Sequence, residues 1–256
     1  VSVPVRMREK ESLPDETNKE IRRRKRWLSS ADPISEFERV CLDNIERVHW
    51  ANTAAPMRIP AISAGMDARD LRHVTGAKLE SNTVPMIITS PPYGSAQKYI
   101  RATGLSLNWL GLAGPCGLKE LERRSIGREH VPKNARDETP SLPASYEALI
   151  HNISKRDQTR AAITKAYLFE LGQALDEAFR VLQPGGRMVI AIGNNLVSGT
   201  VVANDSFVEQ RLEQLGAVTE LAVSDSIKTR GLMRKRNSTA STIDSETVLV
   251  FRKASQ

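Results

Sequence analysis

Ser90-Pro91-Pro92-Tyr93 is the stretch of this chain whose residue types and order can do chemistry. It follows the apolar run Met86-Ile87-Ile88-Thr89 directly, so it hangs from the end of a strand. Proline fixes φ at about −65° and donates no backbone hydrogen bond. Two in succession hold neighbouring carbonyls in one direction and leave them as acceptors. A tyrosine beside them offers a flat apolar face. The set makes a slot for a planar group with an NH2 on its edge: the ring of Tyr93 stacks, the Ser90 hydroxyl and the Pro91 carbonyl accept the amino hydrogens, and the nitrogen is held for attack.

Other chemistries have less to stand on. Four histidines are scattered without an HxxxH pair, and Cys41 and Cys116 lie far apart at no metal-binding spacing. Zinc or a Cys/His nucleophile is therefore not expected, and the cysteines read as buried thiols of a cytoplasmic protein. No apolar run approaches the roughly 20 residues that cross a bilayer. The polar N-terminus has no secretory pattern.

The four-residue step resembles the catalytic motif of the amino methyltransferases of DNA, (Asp/Asn/Ser)-Pro-Pro-(Tyr/Phe). The longer stretch "IITSPPYGSAQKYIRATGLSLNWLGL…LERRSIGRE" is similar to a bacterial DNA-methylase group with Tyr-Ile-Arg and Ser-Leu-x-Trp-Leu-Gly after that motif. This resemblance implies S-adenosylmethionine as methyl donor and the exocyclic amine of a flipped base in double-stranded DNA as target. Ser90 in the first position leans toward cytosine N4 over adenine N6. Hydrogen bonds from the amine to Ser90 and Pro91 would push its nitrogen toward tetrahedral character, and positioning with electrostatics would supply most of the acceleration. Tyr93 stacked on the base would offset the unstacking cost. The resemblance also assigns Asp67 to the adenine amino group of the donor, with Ala68 against the adenine ring and Thr89 beside the donor.

One part of the family pattern is missing. No Asp-Pro-Phe-x-Gly-x-Gly loop follows a strand; "ISAGMDARDL" has a single glycine, and "QPGG" follows a helix. That loop is what lets a donor approach backbone N–H groups at a helix N-terminus. The chain therefore reads as one subunit of a split methyltransferase whose second subunit carries the glycine loop. Competing explanations are a truncated product, or an unfamiliar donor site in the first 58 residues. An RNA or glutamine amino methyltransferase, and a non-catalytic DNA-binding remnant, remain as alternative functions.

The charge agrees with a polyanionic partner. The net charge is +7, concentrated in residues 21–27, 121–128 and 227–236. Arg101 and Arg124 in an insertion over 94–145, and Lys228, Arg230, Arg234, Lys235 and Arg236 in the loop over 226–242, are the candidates for phosphate contact.

The elements that must position these residues can be read from periodicity. Residues 1–33 read as a basic flexible or partly helical arm, followed by a methyltransferase-like domain over 34–256. "SEFERVCLDNIERVHW" has a helical period with Asp32 or Ser35 as cap. Residues 58–67 read as an extended segment ending in an acidic turn, and "VPMIIT" reads as a strand. "DQTRAAITKAYLFELGQALDEAFRVL" is the strongest helix, closed by "QPGG", and "RMVIAIG" a buried strand. A helix over 205–216 and two strands, "VTELAVSDSI" and "ETVLVFRK", follow. The order predicts an α/β, Rossmann-like methyltransferase sheet with helices on both faces, its first strands absent and an antiparallel final pair.

Overall fold

The computed structural model describes residues 15–54, 67–94, 99–114, 117–128, 131, 140–226 and 245–255. The chain divides into two compact units, 1–62 and 63–256.

In the first unit, α1 (Asp15–Ser30) and α2 (Pro33–Ala54) are both helical. Asp32 starts α2: its carboxylate accepts from the backbone N–H groups of Ile34 and Ser35 and from the Ser35 hydroxyl. That satisfies donors a helix start would otherwise leave unpaired. The apolar stripe of α2 is exposed throughout, at Ile34, Phe37, Val40, Ile45 and Val48.

The second unit is a mixed α/β fold. Its strands are β1 (Val84–Thr89), β2 (Leu182–Gly193), β5 (Ala217–Ser226) and β6 (Ser245–Lys253), with a small hairpin of β3 (Asn195–Val197) and β4 (Thr200–Val202). Its helices are α3 (Tyr99–Trp109), α4 (Gly117–Arg124), α5 (Ala144–Ser154), α6 (Gln158–Val181) and α7 (Asn204–Gln214). The main sheet runs β1-β2-β6-β5, with β1 parallel to β2 and the other two neighbour pairs antiparallel. The expected extended segment over 58–66 lies outside the described residues.

Alternation along the strands sets the two faces of the sheet. Met188, Ile190 and Ile192 of β2 and Leu249 and Phe251 of β6 are all between 0% and 2% exposed. They share one core with Leu168, Leu171 and Leu175 of α6 and Phe207, Val208 and Leu212 of α7. Burial of each is worth about 1.5–3 kcal/mol. α6 begins on the Asp157 carboxylate, which accepts from the Arg160 N–H at 2.9 Å. At its other end the Lys253 ammonium donates to the carbonyls of Phe179 and Leu182, at 2.7 and 2.8 Å. A cation there complements the negative end of the helix dipole.

The opposite face departs from the expected pattern of helices on both sides. Its rows follow the register: Ile88, Val189, Val250 and Leu221 stand side by side across all four strands, next to Ala191, Val248 and Val223. Ile88 is 73% exposed, and Met86, Leu221 and Val223 are each about half exposed. Val189, Ala191, Val248 and Val250 between them are half-buried. "QPGG" is also more than a helix stop. Register passes from Val84↔Leu182 to Met86↔Arg187, so residues 183–186 bulge out of β2, with Gly185 at φ 75°.

Candidate active site

The slot residues lie at the carboxyl end of β1, where open α/β sheets place ligands. Thr89 and Ser90 are exposed and Pro91 and Pro92 half-buried. Tyr93 is not the open platform that its sequence context suggests. It is 9% exposed, and its ring belongs to the main core. Its hydroxyl donates to Glu246 Oε1 at 2.5 Å, from the start of β6. Antiparallel pairing brings that strand start to the carboxyl end of β2, opposite Gly193. Burial, and then the Glu246 carboxylate, push the Tyr93 phenol up to about 12.

The backbone of the turn is fixed from several sides. The Tyr93 N–H donates to the Tyr99 hydroxyl at 3.2 Å, and the Gly94 carbonyl accepts from the Asn195 side-chain amide. Gly94 lies flat on Tyr167 of α6: a Cβ there would fall 2.5 Å from the ring. Gly127, at φ 77°, fits against Pro92 and the Tyr93 carbonyl on the other flank. Behind Asn195, the fully buried Asn204 donates from its amide to the Gly193 carbonyl at 2.8 Å and to Asn195 Oδ1. Asp205 joins the same end of the sheet, accepting from Asn194 Nδ2 at 2.9 Å and from the Thr247 hydroxyl at 3.1 Å.

Asp67 is engaged within its own turn. Arg69 grips it through two side-chain bonds of 2.9 and 2.8 Å, and its carboxylate accepts the Arg69 N–H at 3.0 Å. Arg69 holds the carboxyl below its ordinary value. The same arginine reaches the Arg124 carbonyl at 3.0 Å and Glu170 of α6 at 3.3 Å. Arg128 closes on Glu170 from the other side at 2.5 Å. The segment 67–69, residues 124–128 and the SPPY turn are thus gathered along α6, through Glu170 and Tyr167. Ala68 is exposed.

Of the candidate phosphate contacts, Arg101 on α3 and Arg124 on α4 are exposed. Lys228, Arg230, Arg234, Lys235 and Arg236 lie outside the described residues. Exposed Leu105, Trp109, Leu110 and Leu112 accompany Arg101 on and just after α3. Among the described residues no group of acids, histidines or cysteines is arranged to hold a metal, and no helix is long and apolar enough to cross a membrane.

Sequence reasoning missed Glu246, Tyr167, Glu170, Asn195 and Asn204. The one local signal was available at "GNN": two polar amides directly after the buried strand β2, at the end of the sheet where ligands bind.

No family model matches the chain, and no curated protein matches it. Among solved structures it is similar to a Thermus thermophilus protein described as a "Putative DNA Modification Methylase", at 20% identity and a TM-score of 0.38. The match covers 77% of this chain and 56% of that one. The same protein complexed with S-adenosyl-L-methionine matches at 20% identity and a TM-score of 0.37, over 74% and 54%. The chain spans about half the length of the solved structure it matches. At this distance no residue role passes from one chain to the other.

Proposed function

We propose that this chain is the catalytic-motif portion of an amino methyltransferase of double-stranded DNA, with cytosine N4 favoured over adenine N6. The observation that carries the reading is Ser90, exposed on a braced Pro-Pro turn at the carboxyl end of a parallel strand. The SPPY resemblance gives that placement its chemical meaning. The Ser90 hydroxyl and the Pro91 carbonyl accept the amine hydrogens, and rigid bracing behind them keeps the acceptors aimed. S-adenosylmethionine is the methyl donor in this reading; when bound, it supplies an electrophilic methyl group.

The described residues do not by themselves make a donor pocket. No glycine loop follows β1, and the Asp67 carboxylate is taken up by Arg69. In the reading favoured here, a second subunit holds most of the donor. The exposed apolar side chains at Met86, Ile88, Leu221 and Val223 support such a neighbour, because contiguous exposed apolar surface is a mark of a protein-contact face.

Tyr93 takes a different part from the one its motif suggests. Packed inward, it anchors the turn instead of stacking on a base. That same burial, with the occupied Asp67, favours a second reading: a non-catalytic DNA-binding relative that keeps the fold without the chemistry.

Equilibrium dialysis with the donor, followed by methyl transfer to duplex DNA, separates the two. Transfer only when a glycine-loop polypeptide is added supports the first reading. DNA binding without transfer under any pairing supports the second. Transfer to RNA in preference to DNA would change the substrate.

A further inference from the structure

We propose that Glu246 is a positioning residue for the SPPY turn: its carboxylate captures the Tyr93 hydroxyl and holds the ring inward, which leaves Ser90 and Pro91 at the lip of the slot. The inference rests on the methyl-transfer reading above and adds to it a residue that no local motif marks.

Four observations carry it. First, the bond is a short O–H···O⁻ contact of 2.5 Å between residues 153 apart in sequence; charge-assisted bonds of this length are the strong class. Second, among the described residues no lysine or arginine forms an ion pair with Glu246, and its neighbour across the strand pair is another acid, Asp225. A carboxylate opposite a like charge is unfavourable in a sheet unless a donor is directed at it. Third, both hydrogen-bond donors of Tyr93 are tied: its N–H to the Tyr99 hydroxyl and its O–H to Glu246. The ring between them is packed in the core. Fourth, the platform beneath Glu246 is stiff, because Thr247, next in sequence, is bonded to Asp205, which is in turn bonded to Asn194 at the end of β2.

Among the described residues, the ionisable and polar groups around this contact can be named. The phenol is influenced by the Ser90 and Tyr99 hydroxyls and by Glu246. Glu246 faces Asp225 across the strand pair, and Asp205 lies beyond Thr247. Removing the charge at 246 should therefore let the phenol ionise more readily. Removing the side chain should free the ring.

The test uses the full chain with Glu246→Gln, Glu246→Ala and Tyr93→Phe. The four tyrosines are titrated by ultraviolet difference absorbance, and subtraction of the Tyr93→Phe curve isolates Tyr93. Its phenol is expected to ionise at a lower pH in Glu246→Gln than in the parent. Nitration by tetranitromethane, mapped by mass spectrometry, is expected to spare Tyr93 in the parent and mark it in Glu246→Ala. Methyl transfer is measured with labelled donor and duplex DNA, with and without a glycine-loop polypeptide. Glu246→Ala is expected to lose at least tenfold in kcat with KM for DNA within twofold, and Glu246→Gln to regain part of the loss. A Tyr93 titration that does not move in Glu246→Gln, where the parent does transfer methyl, overturns the role of Glu246 alone. A parent that transfers under neither condition overturns the methyl-transfer assignment, and the positioning role with it.

Discussion

Gly94→Ala is the most direct probe of how the slot is braced. The new Cβ would lie 2.5, 2.7 and 2.8 Å from Cδ1, Cε1 and Cγ of Tyr167. Relaxed carbon contacts fall at about 3.5–4.0 Å, so the turn must lift by roughly 1 Å or the ring must move. The ring has little freedom, because Tyr167 is 2% exposed in the middle of α6. Overpacking of this kind costs about 1–3 kcal/mol. For a unit of this size about 2 kcal/mol lowers Tm by about 4–8 °C, readable by calorimetry. Under the proposed methyl-transfer reading, a displacement near 1 Å at Ser90 should also cut the rate by about 10²-fold. Tyr167→Leu removes the obstructing ring, so Gly94→Ala should cost less in that background, with a coupling of about 0.5–3 kcal/mol. A Gly94→Ala chain with the parent's Tm, or strictly additive effects in the double variant, would refute the claim that the turn is seated on Tyr167.

Three further outcomes are expected. Burial raises the phenols of Tyr93 and Tyr146 from 10.0 to about 12; a raised folded value means their contribution is whole below about pH 10 and is lost as pH rises toward about 12, so the urea midpoint should fall across that window and a flat profile would count against the buried phenols. Lysine at Met86, Ile88 and Leu221 together should reduce the fluorescence of an apolar dye bound to the chain, each change shifting stability by no more than about 0.5 kcal/mol, whereas Ile190→Lys on the inner face should unfold it; equal dye binding would show that the outer rows are covered. Neutralising Arg234, Lys235 and Arg236 together should weaken DNA binding and flatten its salt dependence, measured by fluorescence anisotropy; an unchanged slope would remove that loop from the interface.

Much of the frame was legible because it is local. The strand at "VPMIIT", the long helix capped by Asp157, and the helix that ends before Gly216 all follow from periodicity and punctuation. The SPPY turn was legible for the same reason, since four adjacent residues carry it. The direction of Tyr93 was not. Whether an aromatic ring after Pro-Pro turns outward or inward is decided by Gly94 against Tyr167 and by Glu246, and the latter is 153 residues away. Asp67 shows the same limit in miniature: its acidic turn could be read, but whether Arg69 would fold back onto it and onward to Glu170 depends on where α6 passes. The bare outer face was unreadable as well. Val189, Val248 and Val250 look like any strand buried on both sides, whereas they are half-buried beside the exposed Ile88 and Leu221.

Tyr167 and Glu170 are three residues apart on α6, so both project from one flank about a turn of helix apart. One props the SPPY turn and the other tethers the Asp67 segment. A single rod thus serves as a common gauge block, and the gap between the two halves of any reaction centre here is written into its pitch. An engineer wishing to re-aim the SPPY turn while leaving Asp67 in place would have to break that shared ruler, most simply by slipping a residue into α6 between them.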